Sequence, residues 1–125
     1  MTDKELHNAK EALRKEIEAN GFGWQNNKYV RPTEEFQKKR KELDCIDMIN
    51  SILAYNCMGY QNANDVLRYE EEKSYKNYLK DYVDVLGRDR VLELIQGQID
   101  SISYVKTDVF TDDEGLSYNS IQWKD

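Results

Sequence analysis

Residues 62–87 read NANDVLRYEEEKSYKNYLKDYVDVLG, and their reading decides how many helices the chain has. Asn62 or Asn64 can supply an acceptor for the free N–H groups of a first helical turn. Val66, Tyr69, Tyr75, Leu79, Tyr82, Val83 and Leu86 then recur close to helical spacing, and Gly87 provides a stop. The spacing predicts one helix running to about Leu86, with its polar middle, EEEKS, turned to water. Glu70, Glu71 and Glu72, with Asp65, Asp81 and Asp84, make it an acidic rod in which Lys73, Lys76 and Lys80 interleave. Glu72 and Lys76 lie four apart, an ordinary helix-stabilising pair.

Upstream, Thr2 and Glu5 form a capping box for a first helix with Leu6, Ala9, Leu13 and Ile17 on its apolar side. Asn20-Gly21 ends it. In FGWQNNKYVRP, Phe22, Trp24, Tyr29 and Val30 flank Asn26-Asn27, which fits either a short extra pair of strands near residues 24–30 or an irregular loop pinned by Trp24. Thr33 caps a second helix to about Met58, with Glu34 and Glu35 in its first turn, where the helix dipole favours carboxylates. Phe36, Leu43, Ile46, Ile49, Leu53 and Cys57 form its apolar face. Phe36, Leu43, Asn50 and Cys57 also repeat every seven residues, with Asn50 at a core position of the kind that sets register in paired helices. A homodimer through residues 34–58 is therefore one expectation.

Downstream, Asp89 is expected to cap a last helix whose stripe is Val91, Leu92, Ile95, Ile99 and Ile102. Gly97 inside it costs about 1 kcal/mol against alanine, which close approach of another helix would justify. From Tyr104 the period changes to alternation, in YVKTDVFT and then LSYNSIQW, with Gly115 suited to the turn between them. A bulge near Asn119-Ser120 reconciles the two parities of the second strand. The expected class is thus α+β, mainly α: about four helices followed by a C-terminal β-hairpin, in a single domain over 1–125.

The apolar fraction of 39% is modest and the charged fraction of 34% is high, which suits helices with one buried stripe each. Residues 1–41 hold ten Lys/Arg and seven Asp/Glu, a net +3; residues 42–125 hold eight and seventeen, a net −9. An acidic balance over two-thirds of the chain disfavours general nucleic-acid binding and suits a basic protein surface. No apolar run is long enough for a membrane span, and the first ten residues have no apolar signal core. Cys45 and Cys57 would stand about 18 Å apart along one helix, beyond disulfide reach. Both read as reduced thiols of a cytoplasmic protein.

The chemistry-bearing residues are few. His7 is the single histidine, which removes most histidine metal sites and triads. No P-loop or dinucleotide fingerprint occurs. Asp112, Asp113 and Glu114 do not follow a calcium loop, because two acids are adjacent and the closing glutamate is missing. No catalytic residue, metal or cofactor is assigned. The stretches VFTDDEGLSYNSIQW and YVDVLGRDRVLELI, about the last 45 residues, resemble small accessory proteins carried by phages of low-GC Gram-positive bacteria. That resemblance implies a class of binders that block a host defence machine or sequester its nucleotide signal.

The leading expectation is a non-enzymatic binding protein that occupies a basic surface of a host complex. It would use Glu70, Glu71 and Glu72 with the hairpin residues Asp112, Asp113, Glu114 and Tyr118. A second reading is a nucleotide sponge holding its ligand between Tyr75, Tyr78 and Tyr82 and the arginines Arg68, Arg88 and Arg90. A third is a DNA-associated regulator using KKRK, Lys38 to Lys41.

Overall fold

The computed structural model describes residues 1–54, 62–111 and 117–123, with side chains described over 1–54, 62–102 and at Trp123. The elements run α1 (Asp3–Ala19), β1 (Gly23–Gln25), β2 (Lys28–Val30), α2 (Glu34–Ala54), α3 (Ala63–Glu72), α4 (Lys80–Leu86), α5 (Arg88–Ser101), β3 (Ile102–Thr111) and β4 (Ser117–Trp123). The expected class is corrected. The described chain is mainly helical with five helices, not four, and the hairpin whose side chains are described lies in the N-terminal half, between α1 and α2.

The fifth helix arises because the stretch at 62–87 breaks. Asn62 caps α3, its side chain accepting from Asn64 N–H at 2.8 Å. The helix stops at Glu72, and Glu70 turns inward to 2% exposure. Its carboxylate takes the Lys73 ammonium at 2.7 and 2.9 Å and the backbone N–H of Tyr78 at 3.0 Å. Asn77 Oδ1 then accepts from Leu79 N–H at 2.9 Å, and α4 begins at Lys80. A buried carboxylate must find donors, and here it finds one that only a broken helix can present.

Helix α2 is the centre of the molecule. On one side Cys45, Ile49 and Leu53 join Ala63, Val66 and Leu67 of α3, Leu79 just before α4, the α5 residues Val91, Ile95 and Ile99, and Ile102 in one apolar cluster. Trp123 at the end of β4 packs against it. On the other side α1 lies against α2, burying Leu6, Leu13 and Ile17. Of the seam expected to pair two copies of the chain, Ile46, Asn50 and Leu53 are buried within the fold, whereas Phe36 and Leu43 are half-buried. Asn50 is buried and receives a 2.7 Å hydrogen bond from Gln98 of α5, so the asparagine expected to set register between two copies has a partner within the chain. The same Gln98 amide spans Met1, accepting from its ammonium and donating to its carbonyl, both at 2.8 Å.

The two strand pairs form separate two-stranded sheets and do not join. In β1–β2 the register pairs Trp24 with Tyr29, and the turn residues Asn26 and Asn27 have φ of 48° and 66°. Positive φ at both central positions gives a type I′ turn, whose twist matches that of the strands. β3 and β4 are antiparallel, Ile102 opposite Trp123, with the register shift between Lys106 and Thr111. The irregularity thus lies in β3, not at Asn119-Ser120 as expected. The acidic tip at 112–116 lies outside the described residues, as does Cys57.

The caps expected at Thr2 and Asn62 form, and the one expected at Asp89 does not. The Thr2–Glu5 capping box is present. Helix α5 starts at Arg88 behind Gly87, at φ 87°, with no side-chain cap from Asp89. Gly97 is exposed, and a Cβ placed there would meet nothing within 4 Å, so no close helix approach justifies it. Gly97→Ala should therefore raise unfolding free energy by about 0.5–1 kcal/mol, read as a higher urea midpoint at unchanged slope; a loss of stability would contradict the open environment.

Candidate functional site

The end of α1 builds the site. Gly21 at φ 80° donates to Glu18 O at 3.0 Å, and Phe22 donates to Ile17 O at 3.1 Å. This double bond pattern is a Schellman motif, which folds the chain back so that the residue after the glycine covers the last apolar turn. Phe22 lands beside Ile17 and meets Phe36 of α2 edge-on, ring centroids 5.8 Å apart. On the return strand Gln37 of α2 donates to Pro32 O at 2.6 Å and accepts from Arg31 at 3.3 Å. The hairpin is thereby held at both ends on the start of α2.

Between α1, β1 and α2 this leaves a groove of about 630 Å³. Leu13, Ile17, Phe22 and Leu43 supply its apolar lining, and Trp24 stands at its hairpin edge. Trp24 is 74% exposed and Tyr29 52%, their rings edge-to-face at 5.6 Å, and Val30 is 39% exposed. Three-residue strands have no second layer to cover such rings, so the apolar surface continues from the groove onto the hairpin. Along the α1 rim Arg14 is held by Glu11 at 3.0 Å and Glu18 at 2.8 Å, while Lys10 reaches Asp47 at 2.9 Å and Asp44 at 3.8 Å. On the α2 rim Arg40 is exposed and, among the described residues, has no carboxylate partner.

The residues nominated from sequence are placed elsewhere. Glu70 is buried in its own ion pair; Glu71 is bonded to Arg88 at 3.0 Å; Glu72 is exposed. Of the three, Glu71 and Glu72 stay exposed, Glu71 paired with Arg88, while Glu70 faces inward. Asp112, Asp113 and Glu114 lie outside the described residues, as does the side chain of Tyr118. Arg68 is paired with Asp65 at 3.2 Å. Arg90 grips Glu42 through two nitrogens at 2.9 and 3.3 Å and Glu93 through a third at 2.9 Å, which holds its guanidinium protonated even more firmly than usual. The three arginines expected to meet phosphate all meet carboxylates of the chain.

The tyrosines do not form a shared platform on one helix. Tyr75 and Tyr78 sit between α3 and α4, and the Lys73 ammonium lies 4.4 and 4.2 Å from their ring centroids, with the Tyr69 ring at 6.0 Å. The cage that could hold a ligand cation is filled by Lys73, whose side chain is 5% exposed. Tyr82 is separate, half-buried on α4 with Lys41 over its ring at 5.0 Å. The basic run also disperses: Lys39 goes to Glu35 at 3.5 Å, Lys41 to Tyr82, and Arg40 to the groove.

His7 stands exposed on α1, and among the described residues no three His, Cys, Asp or Glu side chains gather as a metal site. Among the described residues no helix is long and apolar enough to cross a membrane. Cys45 is fully buried, and burial first, then the Glu42 charge, pushes its thiol up to about 12. The groove itself was missed from sequence; the available signal was Trp24 and Tyr29 beside an Asn-Asn turn too short to hide them. No family model, curated protein or solved structure matches the chain.

Two outcomes follow from these burials. Lys73→Met leaves the Glu70 carboxylate without its counter-ion and should cost about 3–5 kcal/mol. Adding Glu70→Gln, which keeps an acceptor for Tyr78 N–H, should recover most of that; equal losses in single and double variants would contradict the buried pair. For Cys45 the folded state binds its proton more tightly than the unfolded state, whose thiol titrates near 9.0. Its contribution is intact below that pH and lost as pH rises toward about 12. A Cys45→Ala variant should show a shallower alkaline fall in stability than the parent in urea titrations above pH 9, and the same fall would show that this thiol is not responsible.

Proposed function

We propose that the protein is a non-enzymatic binding protein, and that its contact surface is the groove between α1 and α2 with the aromatic hairpin beside it. The observation that carries this reading is Trp24, 74% exposed at the edge of an apolar groove. A tryptophan with its ring in water is the residue type most enriched among the few that dominate an interface. The buried Cys45 thiol and the lone exposed His7 are poor starting points for nucleophilic or acid–base chemistry. The resemblance to phage accessory proteins makes a host protein the natural class of target, and inhibition by occupation the natural mode.

The nucleotide reading has less support. Its arginines are committed to Asp65, Glu71, Glu42 and Glu93, and its tyrosines surround Lys73 or pack on the core. The acidic-helix contact loses Glu70 to a buried ion pair and has Asp65, Glu71 and Asp84 in ion pairs of their own, so the groove is the better-supported surface.

Affinity capture from host extract with the parent chain and with Trp24→Ala, run side by side, tests the reading. Truncating the exposed tryptophan should weaken partner retention about 30-fold or more while stability changes by less than about 0.5 kcal/mol, since the side chain is exposed. Identical capture by both proteins, or substrate turnover by the pure chain, would overturn it.

A further inference from the structure

We infer that the groove takes an acidic–apolar peptide segment: an aromatic or leucine side chain seated between Leu13, Ile17, Phe22 and Leu43, with a carboxylate one turn away on Arg40. This rests on the binding reading above and adds the chemistry of the partner. The groove has two unlike rims. On the α1 rim the cations are already answered, Arg14 by two glutamates and Lys10 by two aspartates. On the α2 rim Arg40 is exposed and without an ion pair or hydrogen bond among the described residues. Across the hairpin Lys28, the register partner of Gln25, is exposed with no ion pair among the described residues. Directly paired residues of an antiparallel ladder share a face, so Lys28 emerges on the side of Gln25, which lines the groove. Asp44, one turn further along α2, answers Lys10 at 3.8 Å, so an occupant apolar in its middle meets Arg40 with a negative group.

Extent selects a polypeptide over a small molecule, although the groove volume of about 630 Å³ alone suits either. The exposed apolar surface continues beyond it over Trp24, Tyr29 and Val30, which a small ligand would leave wet and a chain segment would cover. Aromatic rings beside cations also suit single-stranded nucleic acid. Against that, Glu11, Glu18 and Asp44 line the same groove and would face a phosphate backbone at every step, whereas a peptide can place one carboxylate at Arg40 and none opposite the glutamates. A guanidinium that accepts a planar carboxylate through two nitrogens gives this contact its direction.

The test is selection of a displayed random peptide library on the full chain, followed by anisotropy titration of the winning peptides. The selected pool should carry Phe, Trp or Leu with Asp or Glu three or four residues away. Binding should fall about 30-fold with Trp24→Ala and about tenfold with Arg40→Ala, more with Arg40→Glu, and should weaken with added salt. Arg68→Ala, on α3 and paired with Asp65 away from the groove lining, should change nothing. Peptides that need Trp24 but lack acids and ignore Arg40 would overturn this partner chemistry while leaving the binding reading standing. Failure to select any Trp24-dependent peptide would overturn both. Trp24-dependent binding of a labelled single-stranded oligonucleotide in place of peptides would reassign the groove to nucleic acid. Trp24-dependent dimerisation in sedimentation would reassign it to a second copy of the chain.

Discussion

Helix α2 is asked to bury two opposite sides, and the rest of the molecule is arranged by that demand. One side closes over Cys45, Ile49 and Leu53 with three further helices, the start of β3 and Trp123 at the end of β4. The other has only α1 and a hairpin of three-residue strands to cover it. Burial of apolar area is the main favourable term in folding, and the closed side supplies most of it here. The open side contributes less and leaves rings in water, so the same helix that stabilises the fold also carries the surface available for recognition.

Charge follows the same division. On the closed side polar groups are answered inside the fold: Glu70 by Lys73, Asn50 by Gln98, Glu42 by Arg90. The Lys73 ammonium is enclosed by tyrosine rings as well as by its carboxylate, which makes the corner between α3 and α4 a fixed joint. The net −9 of residues 42–125 therefore overstates the acidic surface presented, because several of its carboxylates are spent within the fold. On the groove side Arg40 and Lys28 are left without a carboxylate among the described residues.

What the sequence made legible was local. The Thr2–Glu5 box, the Asn20-Gly21 stop and the Asn62 cap rest on groups within one turn of each other, and single-chain pattern reads such groups directly. The break between α3 and α4 was hidden because Glu70 and Lys73 have the spacing of a surface helix pair, and Tyr75, Tyr78 and Tyr82 have that of one helix face. Only the tertiary fact that Glu70 points inward, toward the Tyr78 N–H, separates the two readings. Asn50 is ambiguous for a related reason: a polar residue in an apolar seam signals a buried partner, and the sequence does not say that Gln98 is one. The groove needs α1, the hairpin and α2 together, so no linear motif could show it.

The central claim is that the fold leaves Trp24 uncovered, and its direct test is the fluorescence of that ring in a Trp123→Phe variant, where it is the sole tryptophan. At low micromolar concentration the emission should lie close to that of free tryptophan in water and be quenched freely by acrylamide. Blue-shifted emission protected from the quencher in the isolated monomer would mean that the chain covers its own hairpin, and the groove would then have no surface to offer.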